Sequence, residues 1–156
     1  MNDQGNFVVA WWGEGAADAA GVYARLYTTS DMPVKPSVSI AATDATAAET
    51  LEDAKENPGA FTVTRTGGDL TQPLVVKYSL AGSTATGGAD YAALTGEVTI
   101  PALAKSAVIP VTVIDDTDAE PTETVVLTLS ADATYNINAK QQPGTVKIAD
   151  NEPVGA

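Results

Sequence analysis

Apolar and polar residues alternate along most of this chain, in short segments separated by clusters of Gly, Pro, Asn and Asp. Alternation with a period of two is typical of strands with one buried face, and almost no segment shows a sustained helical repeat. The pattern predicts seven strands, at residues 37–42, 60–66, 74–81, 96–100, 106–114, 123–130 and 145–149. Strands of this number and spacing predict an all-β fold, an immunoglobulin-like antiparallel β-sandwich.

Inward-facing rows are clearest in four of the predicted strands. They are Phe61 and Val63; Leu74, Val76, Tyr78 and Leu80; Ile109, Val111 and Val113; and Val125, Leu127 and Leu129. Their neighbours are mostly polar, as expected where the other face of a sheet meets water. Pro110 cannot donate a ladder hydrogen bond, so it predicts a sheet edge or a bulge in the fifth strand.

The N-terminal region follows a different pattern. Residues 7–12 and 21–27 predict two strands joined by a Gly/Ala-rich loop, a short β-hairpin that is marginal by itself. The predicted organisation is a partial hairpin repeat from a preceding domain at 1–31, a linker at 32–36, the sandwich at 37–152 and an exit linker at 153–156. The chain begins without the basic start and apolar run of a secretory signal, and no stretch approaches the length of a membrane helix.

Charge narrows the range of functions. The 156 residues include 20 acidic and 8 basic side chains, giving a net charge of -12, with neither histidine nor cysteine. This acidity argues against nucleic acid and anionic membranes as partners. Disulfides, thiolate metal sites and His-based catalytic triads are impossible. Glu120 and Glu123 could resemble a glycosidase pair, but no cleft signature accompanies them, so we predict that the protein is not an enzyme.

The candidate ligands follow the first, third, fifth and seventh predicted strands. They are Glu49; Asp90; Asp115, Asp116, Asp118, Glu120 and Glu123; and Asp150, Asn151 and Glu152. If the strands alternate in direction, these four strands all end at one pole of the sandwich. The opposite-pole connections, at 67–68, 101–105 and 131–143, carry no comparable cluster. The sequence therefore predicts one strongly acidic pole.

Crowded carboxylates repel one another, by about 0.5 kcal/mol for each pair roughly 8 Å apart in water. A hard divalent cation reverses the sign of this interaction. Calcium accepts six to eight oxygen ligands in flexible geometry, whereas magnesium demands a tight octahedron. Zinc and copper favour His or Cys ligands. We therefore expect Ca²⁺ as the ligand of this pole.

Several motifs carry a family resemblance. They are AFTVTR at 60–65, TATGGADY at 84–91, VTVIDD at 111–116, and 120–130, where ET at 123–124 leads into LTLS at 127–130. From about residue 36 to 152 the chain resembles a Calx-β domain, the module of sodium/calcium exchangers, integrin β4 and many large bacterial surface proteins. The hairpin resembles the FVVAW and GVYA repeats of bacterial extracellular proteins.

The resemblance implies a calcium-binding pole in which ions share bridging carboxylates. The candidate ligands up to Asp150 match positions of the family pattern, with Asp118 expected to bind through its backbone carbonyl. The pattern ends in three consecutive acids, whereas this chain has Asp150, Asn151 and Glu152. Because Asn151 offers only a neutral oxygen, we expect one to three ions.

The implied role is a calcium-binding structural or adhesion module of a secreted or surface-anchored bacterial protein, in contact with neighbouring domains of its parent chain. The alternative is a carbohydrate-binding or adhesive module, with Trp11 or Tyr135 contacting a glycan or cell-surface ligand. A third hypothesis is an intracellular calcium sensor. Glu52, Asp53 and Glu56 are interpreted as a solvated loop, and Tyr91 as core beside the site.

Overall fold

The computed structural model describes residues 6–15, 18–27, 34–50, 57–138 and 143–152, and these contain strands but no helix. The strands are β1 (Phe7–Gly15), β2 (Asp18–Tyr27), β3 (Ser37–Asp44), β4 (Thr46–Ala48), β5 (Gly59–Thr66), β6 (Leu74–Ser79), β7 (Glu97–Ile100), β8 (Ser106–Val111), β9 (Glu123–Leu129), β10 (Asn136–Ile137) and β11 (Gly144–Ala149). The chain divides into two compact units, Met1–Val34 and Lys35–Ala156.

The first unit contains a two-stranded antiparallel ribbon of β1 and β2. These strands include the predicted segments 7–12 and 21–27. Val8 lies opposite Leu26 in the register, and each side chain is 59% exposed. A ribbon of this kind buries little apolar surface of its own. Its assignment to a preceding domain stays a prediction, and residues 32–33 of the predicted linker lie outside the described residues.

The second unit is a β-sandwich, as predicted. One sheet has the order β10-β3-β5-β8 and the other the order β4-β11-β9-β6-β7. All seven predicted strands are present, and the described residues add two short ones, β4 and β10. Both pair in parallel, β4 with β11 and β10 with β3. At three and two residues, they are too short to show a periodicity in the sequence.

Strand direction sorts the loops between two poles. Antiparallel pairing of β5 with both β3 and β8 makes β3 and β8 run the same way. Pairing of β9 with both β6 and β11 does the same for β6 and β11. Because β4 continues β3 and runs parallel to β11, all four strands end together. We call the segments at that end, residues 48–50, 84–91, 112–123 and 150–152, the acidic pole.

The core lies between the two sheets and contains every predicted inward residue. All of them are buried except Leu80 and Val113, which are partly buried. Val113 lies beyond β8, which ends at Val111 rather than at the predicted residue 114, and forms an isolated bridge with Tyr91. Each large side chain removed from water contributes about 1.5–3 kcal/mol. The core therefore fixes the strand ends that carry the acids.

Pro110 lies on an edge strand, as predicted. It pairs with Ala60 of β5, and β8 is the last strand of its sheet. The missing N–H of proline is tolerated at such an edge, since a central strand would need that donor.

Arg65 is a buried cation at the pole opposite the acids, on the same face of β5 as Phe61 and Val63. The side chain is 3% exposed, and its guanidinium donates only to backbone carbonyls. Nε binds Ala104 O at 2.9 Å, Nη1 binds Gln72 O at 2.9 Å, and Nη2 binds Leu70 O at 3.2 Å and Pro101 O at 3.0 Å. The five donors of arginine suit this fork of acceptors. Arg65 thus ties two loops to the end of β5.

We predict that Arg65→Met lowers the free energy of unfolding by about 2–4 kcal/mol, because carbonyls now satisfied by the guanidinium lose their donor in a buried place. Urea unfolding measures this change. Lys105→Met, at an exposed neighbouring position, is the control and should change stability by less than about 0.5 kcal/mol. Equal small effects in both variants would contradict the anchoring role.

Candidate metal centre

Backbone hydrogen bonds bring distant acids together at the acidic pole. The N–H of Glu49, just after β4, donates to Ala149 O at 2.9 Å, and Ala149 is the last residue of β11. The N–H of Ile114, beyond β8, donates to Asp90 O at 3.0 Å. The first bond places Glu49 beside the residues that follow β11, and the second places Asp90 beside the long loop that follows β8.

Glu49, Asp150 and Glu152 form a first triad. One carboxylate oxygen from each lies within 4.8 Å of the others. Glu49 is the most deeply buried of the three, at 7% exposure, while the other two are partly buried. The triad therefore combines the residue that follows β4 with residues that follow β11, and these two regions are separated by about a hundred residues in sequence.

Asp90, Glu120 and Glu123 form a second triad with the same oxygen spacing, 4.8 Å or less. Asp90 is 7% exposed, and its Oδ2 accepts the Thr86 N–H at 2.5 Å. Glu123 is the first residue of β9, so its backbone is held by the sheet. Glu120 belongs to the preceding loop.

Asp150 links the two triads. Its Oδ1 accepts the N–H of Glu152 at 3.1 Å, within the first triad, and its Oδ2 accepts the N–H of Glu120 at 2.8 Å, from the second. These two backbone donors lower the pKa of Asp150, since they stabilise its charged form. A ligand that fixes Asp150 therefore also acts on the loop that carries Glu120.

The other predicted ligands surround the triads. Asp116 Oδ1 accepts the Asp118 N–H at 2.7 Å, and its charge helps to raise the pKa of both Glu49 and Glu120. The charge of Asp116 thus acts on one acid of each triad. Asp115 Oδ1 accepts a hydrogen bond from Asn151 Nδ2 at 2.6 Å. The structure brings all ten predicted residues to one pole, and their roles as ligands stay predictions.

Two glutamates, the buried Glu49 and the partly buried Glu123, have strongly raised pKa values. Burial, followed by the charges of Asp150 and Asp116, raises the pKa of Glu49 to about 7. Burial, followed by a hydrogen bond with Asp90 and its charge, raises the pKa of Glu123 to about 7. Two charges 4.8 Å apart repel by about 0.9 kcal/mol even at the dielectric constant of water. The triads therefore hold protons, or a cation, more readily than isolated acids.

The ligand chemistry fits a hard divalent cation. Calcium–oxygen distances of about 2.3–2.6 Å place ligand oxygens up to about 5 Å apart, which matches the 4.8 Å spacing of the triads. Within the described ranges, three buried oxygens lack a hydrogen-bond partner: Glu49 Oε2, Glu152 Oε2 and Asn151 Oδ1. Where the chain is described, the one salt bridge joins Lys77 and Asp132 at 2.9 Å, beyond the end of β9 opposite the acidic pole. Side-chain cations thus leave these acids uncompensated.

Other sequence predictions have mixed outcomes. Tyr91 is core, as predicted, at 1% exposure. Tyr135 cannot offer a face for sugar stacking, because it is 3% exposed and its hydroxyl donates to Ser130 O at 2.6 Å. Glu52, Asp53 and Glu56 lie outside the described residues, as does the side chain of Trp11.

Sequence reasoning missed the hydrogen bonds that link acids from different segments of the acidic pole. The bonds from Glu120 N to Asp150 and from Asn151 to Asp115 join residues 30 and 36 positions apart. No periodicity or spacing signals them. The loop after β8 leads into β9, and β9 pairs with β11 in the other sheet. This connection brings the loop beside the residues that follow β11.

A family model and several solved structures match this chain. The family model described as Calx-beta domain matches residues 31–152, whereas no curated protein matches the chain. CBD12 from CALX1.2 is similar, with a TM-score of 0.52 and 23% identity over 68% of this chain and 41% of that one. The apo-form Calx CBD1 domain has a TM-score of 0.50 and 20% identity, over 73% of this chain and 97% of that one.

A third structure, the calcium binding domain CBD12 of CALX1.1, has a TM-score of 0.51 and 21% identity over 71% of this chain and 44% of that one. This chain therefore spans less than half of either CBD12 chain. Over the residues with assigned structure, no helix is long and apolar enough to cross a bilayer.

The raised pKa values predict an unusual pH dependence in chelator. Glu49 and Glu123 bind a proton more tightly in the folded state, near pH 7, than at their ordinary value of 4.5. Their contribution to stability is therefore complete below about pH 4.5 and is lost as the pH rises through about 7. The free energy of unfolding should fall across this window, as urea unfolding at several pH values would measure.

Glu49→Gln should flatten this dependence, since the neutral amide does not titrate. Glu97→Gln, which removes an exposed acid of β7, should leave it unchanged. Stability that stays level or rises between pH 4.5 and 7 in the unsubstituted protein would contradict the crowding of these two glutamates.

Proposed function

Because the chain belongs to the Calx-beta domain family, and because its acids meet in two triads, we propose that it is a calcium-binding structural module. The observation that carries this proposal is the set of buried, unpartnered oxygens at the acidic pole, above all Oε2 of Glu49. An oxygen of this kind gains most from a ligand that is positively charged. The printed description of CALX1.1 CBD12 as a calcium binding domain supports the choice of ion.

Calcium would act by replacing repulsion with shared coordination. One ion would lie among Glu49, Asp150 and Glu152, and a second among Asp90, Glu120 and Glu123. Asp116, whose charge acts on both Glu49 and Glu120, is the candidate for a ligand that bridges the two ions. The chain's own contribution is to hold these oxygens in place: β11 and β9 position two of them, and Asp150 holds the loop between β8 and β9 through Glu120.

The mechanical consequence is a stiffer pole. The loop at 112–122 and the segment at 150–152 share the bond between Glu120 and Asp150, so ordering one restrains the other. The end of the described sandwich, at Glu152, is therefore a point where calcium can fix the direction of the chain. This favours a role as a spacer between neighbouring domains.

The setting we propose is a secreted or cell-surface bacterial protein. Extracellular calcium modules bind with dissociation constants of about 0.1–1 mM, whereas intracellular sensors bind near about 0.1–10 μM. Affinity therefore separates this setting from the sensor hypothesis. A binding role, rather than a catalytic one, also agrees with a chain that has no histidine or cysteine. In the carbohydrate-binding alternative, Tyr135 cannot serve as a sugar contact because that residue is buried.

We predict a calcium-specific rise in melting temperature. A ligand present at about 100 times its dissociation constant adds about 2.7 kcal/mol per site, which corresponds to a shift on the order of 10 °C for a domain of this size. Asp150→Asn should at least halve the shift, because it removes a charged ligand of the first triad. The measurement is thermal unfolding in chelator and across a calcium titration, with magnesium in parallel.

Asp69→Asn is the matched control. It makes the same change of charge, and Asp69 lies in the turn before β6, away from the acidic pole, where its Oδ1 accepts the Thr71 N–H at 2.8 Å. This variant should keep the full shift. An unchanged melting temperature in about 10 mM calcium, above the range of extracellular modules, would refute the proposed function.

A further inference from the structure

The two polar atoms of the Asn151 amide have different surroundings. Nδ2 donates to Asp115 Oδ1 at 2.6 Å. Oδ1 is buried and, as far as the described chain extends, has no hydrogen-bond partner. Asn151 lies between Asp150 and Glu152, which both belong to the first triad. The amide therefore gives its donor to one carboxylate and keeps its acceptor free.

The free acceptor is one of three such oxygens. The other two, Glu49 Oε2 and Glu152 Oε2, belong to carboxylates of the first triad, and Glu49 is 7% exposed. A buried acceptor without a donor costs about 1–3 kcal/mol. Orphaned oxygens on Glu49, Asn151 and Glu152 indicate that this part of the pole is built for a positively charged ligand, with the asparagine oxygen as a neutral member of the set.

Asp115 is in a different position. Among the residues with described side chains, it belongs to neither triad, and its Oδ1 is taken by the Asn151 amide. A cation that joined Asp115 to residue 151 would have to displace an N–H group, which itself carries partial positive charge. The amide donor thus stands where an additional ion would otherwise relieve the charge of Asp115.

We propose that Asn151 limits the acidic pole to two divalent cations, one for each triad, by holding Asp115 with its amide nitrogen and offering its oxygen to the first triad. This inference rests on the proposed function, since it concerns the same pole. One neutral residue, Asn151, would then determine how many ions the domain binds.

The consequence of adding a charge follows from the same geometry. Asn151→Asp removes the donor and puts a second carboxylate at hydrogen-bond distance from Asp115. Two facing carboxylates repel strongly at such a distance unless a proton or a cation lies between them. A cavity of about 30 Å³ bounded by Glu49, Thr112 and Asp115 leaves space nearby. This variant should therefore bind a third calcium ion.

Native mass spectrometry of the full chain in increasing calcium counts the ions. We expect two for the unsubstituted protein, two for Asp115→Asn, because Asp115 is not a ligand, and three for Asn151→Asp. The swapped variant, Asn151→Asp with Asp115→Asn, restores one acid and one amide and should return to two. It also keeps the test decisive if Asn151→Asp alone does not fold. Melting temperature in chelator should fall for Asn151→Asp and recover in the swapped variant.

The possible outcomes distinguish a failure of the proposed role of Asn151 from a failure of the proposed calcium-binding function. Three ions in the unsubstituted protein, or one ion in Asp115→Asn, would overturn the limiting role of Asn151 while leaving calcium binding intact. Two ions in a folded Asn151→Asp, or three in the swapped variant, would overturn it as well. An unsubstituted protein that binds no calcium would overturn both this inference and the proposed function.

Discussion

Repulsion between carboxylates at one end of a β-sandwich is the interaction on which the account of this protein depends. Two triads of acids hold their oxygens within 4.8 Å of one another, and two glutamates have pKa values raised to about 7. A fold tolerates this only if its core fixes the strand ends firmly enough to resist separation. The buried rows of both sheets supply that resistance, so the packing of the core holds the repelling carboxylates of the acidic pole together.

The two poles satisfy their polar groups in opposite ways. At one pole, the positively charged side chain of Arg65 donates hydrogen bonds to four backbone carbonyls. This pole therefore needs no bound ion to satisfy those carbonyls. At the acidic pole, no described lysine or arginine forms a salt bridge with the triads, and several buried oxygens have no donor. One pole thus carries its own cation, and the other has acids that no described side chain neutralises. This arrangement suits a module whose stiffness changes when a cation binds.

The fold and the gathering of the acids could be predicted from the sequence because both follow from period-two alternation. Once seven strands alternate in direction, Glu49 and Asp150 must share a pole. The division into triads could not be predicted, since it depends on which carboxylate oxygens the folded loops bring within 4.8 Å of one another. The bond from Glu120 N to Asp150 Oδ2, which links the two triads, has no sequence signature either. The inward position of Arg65 follows the same alternation as Phe61 and Val63, but its acceptors are backbone carbonyls and have no sequence signature. The short strands β4 and β10 leave no periodic trace.

The central claim is that a cation, rather than protons, neutralises the acidic pole at neutral pH. A crystal structure determined at pH 7 in the presence of calcium tests it most directly. The account predicts electron density for one ion in each triad, with calcium–oxygen distances of about 2.3–2.6 Å to Glu49, Asp150 and Glu152 and to Asp90, Glu120 and Glu123. Triads filled only by water, or short carboxyl–carboxyl contacts with no ion, would contradict it.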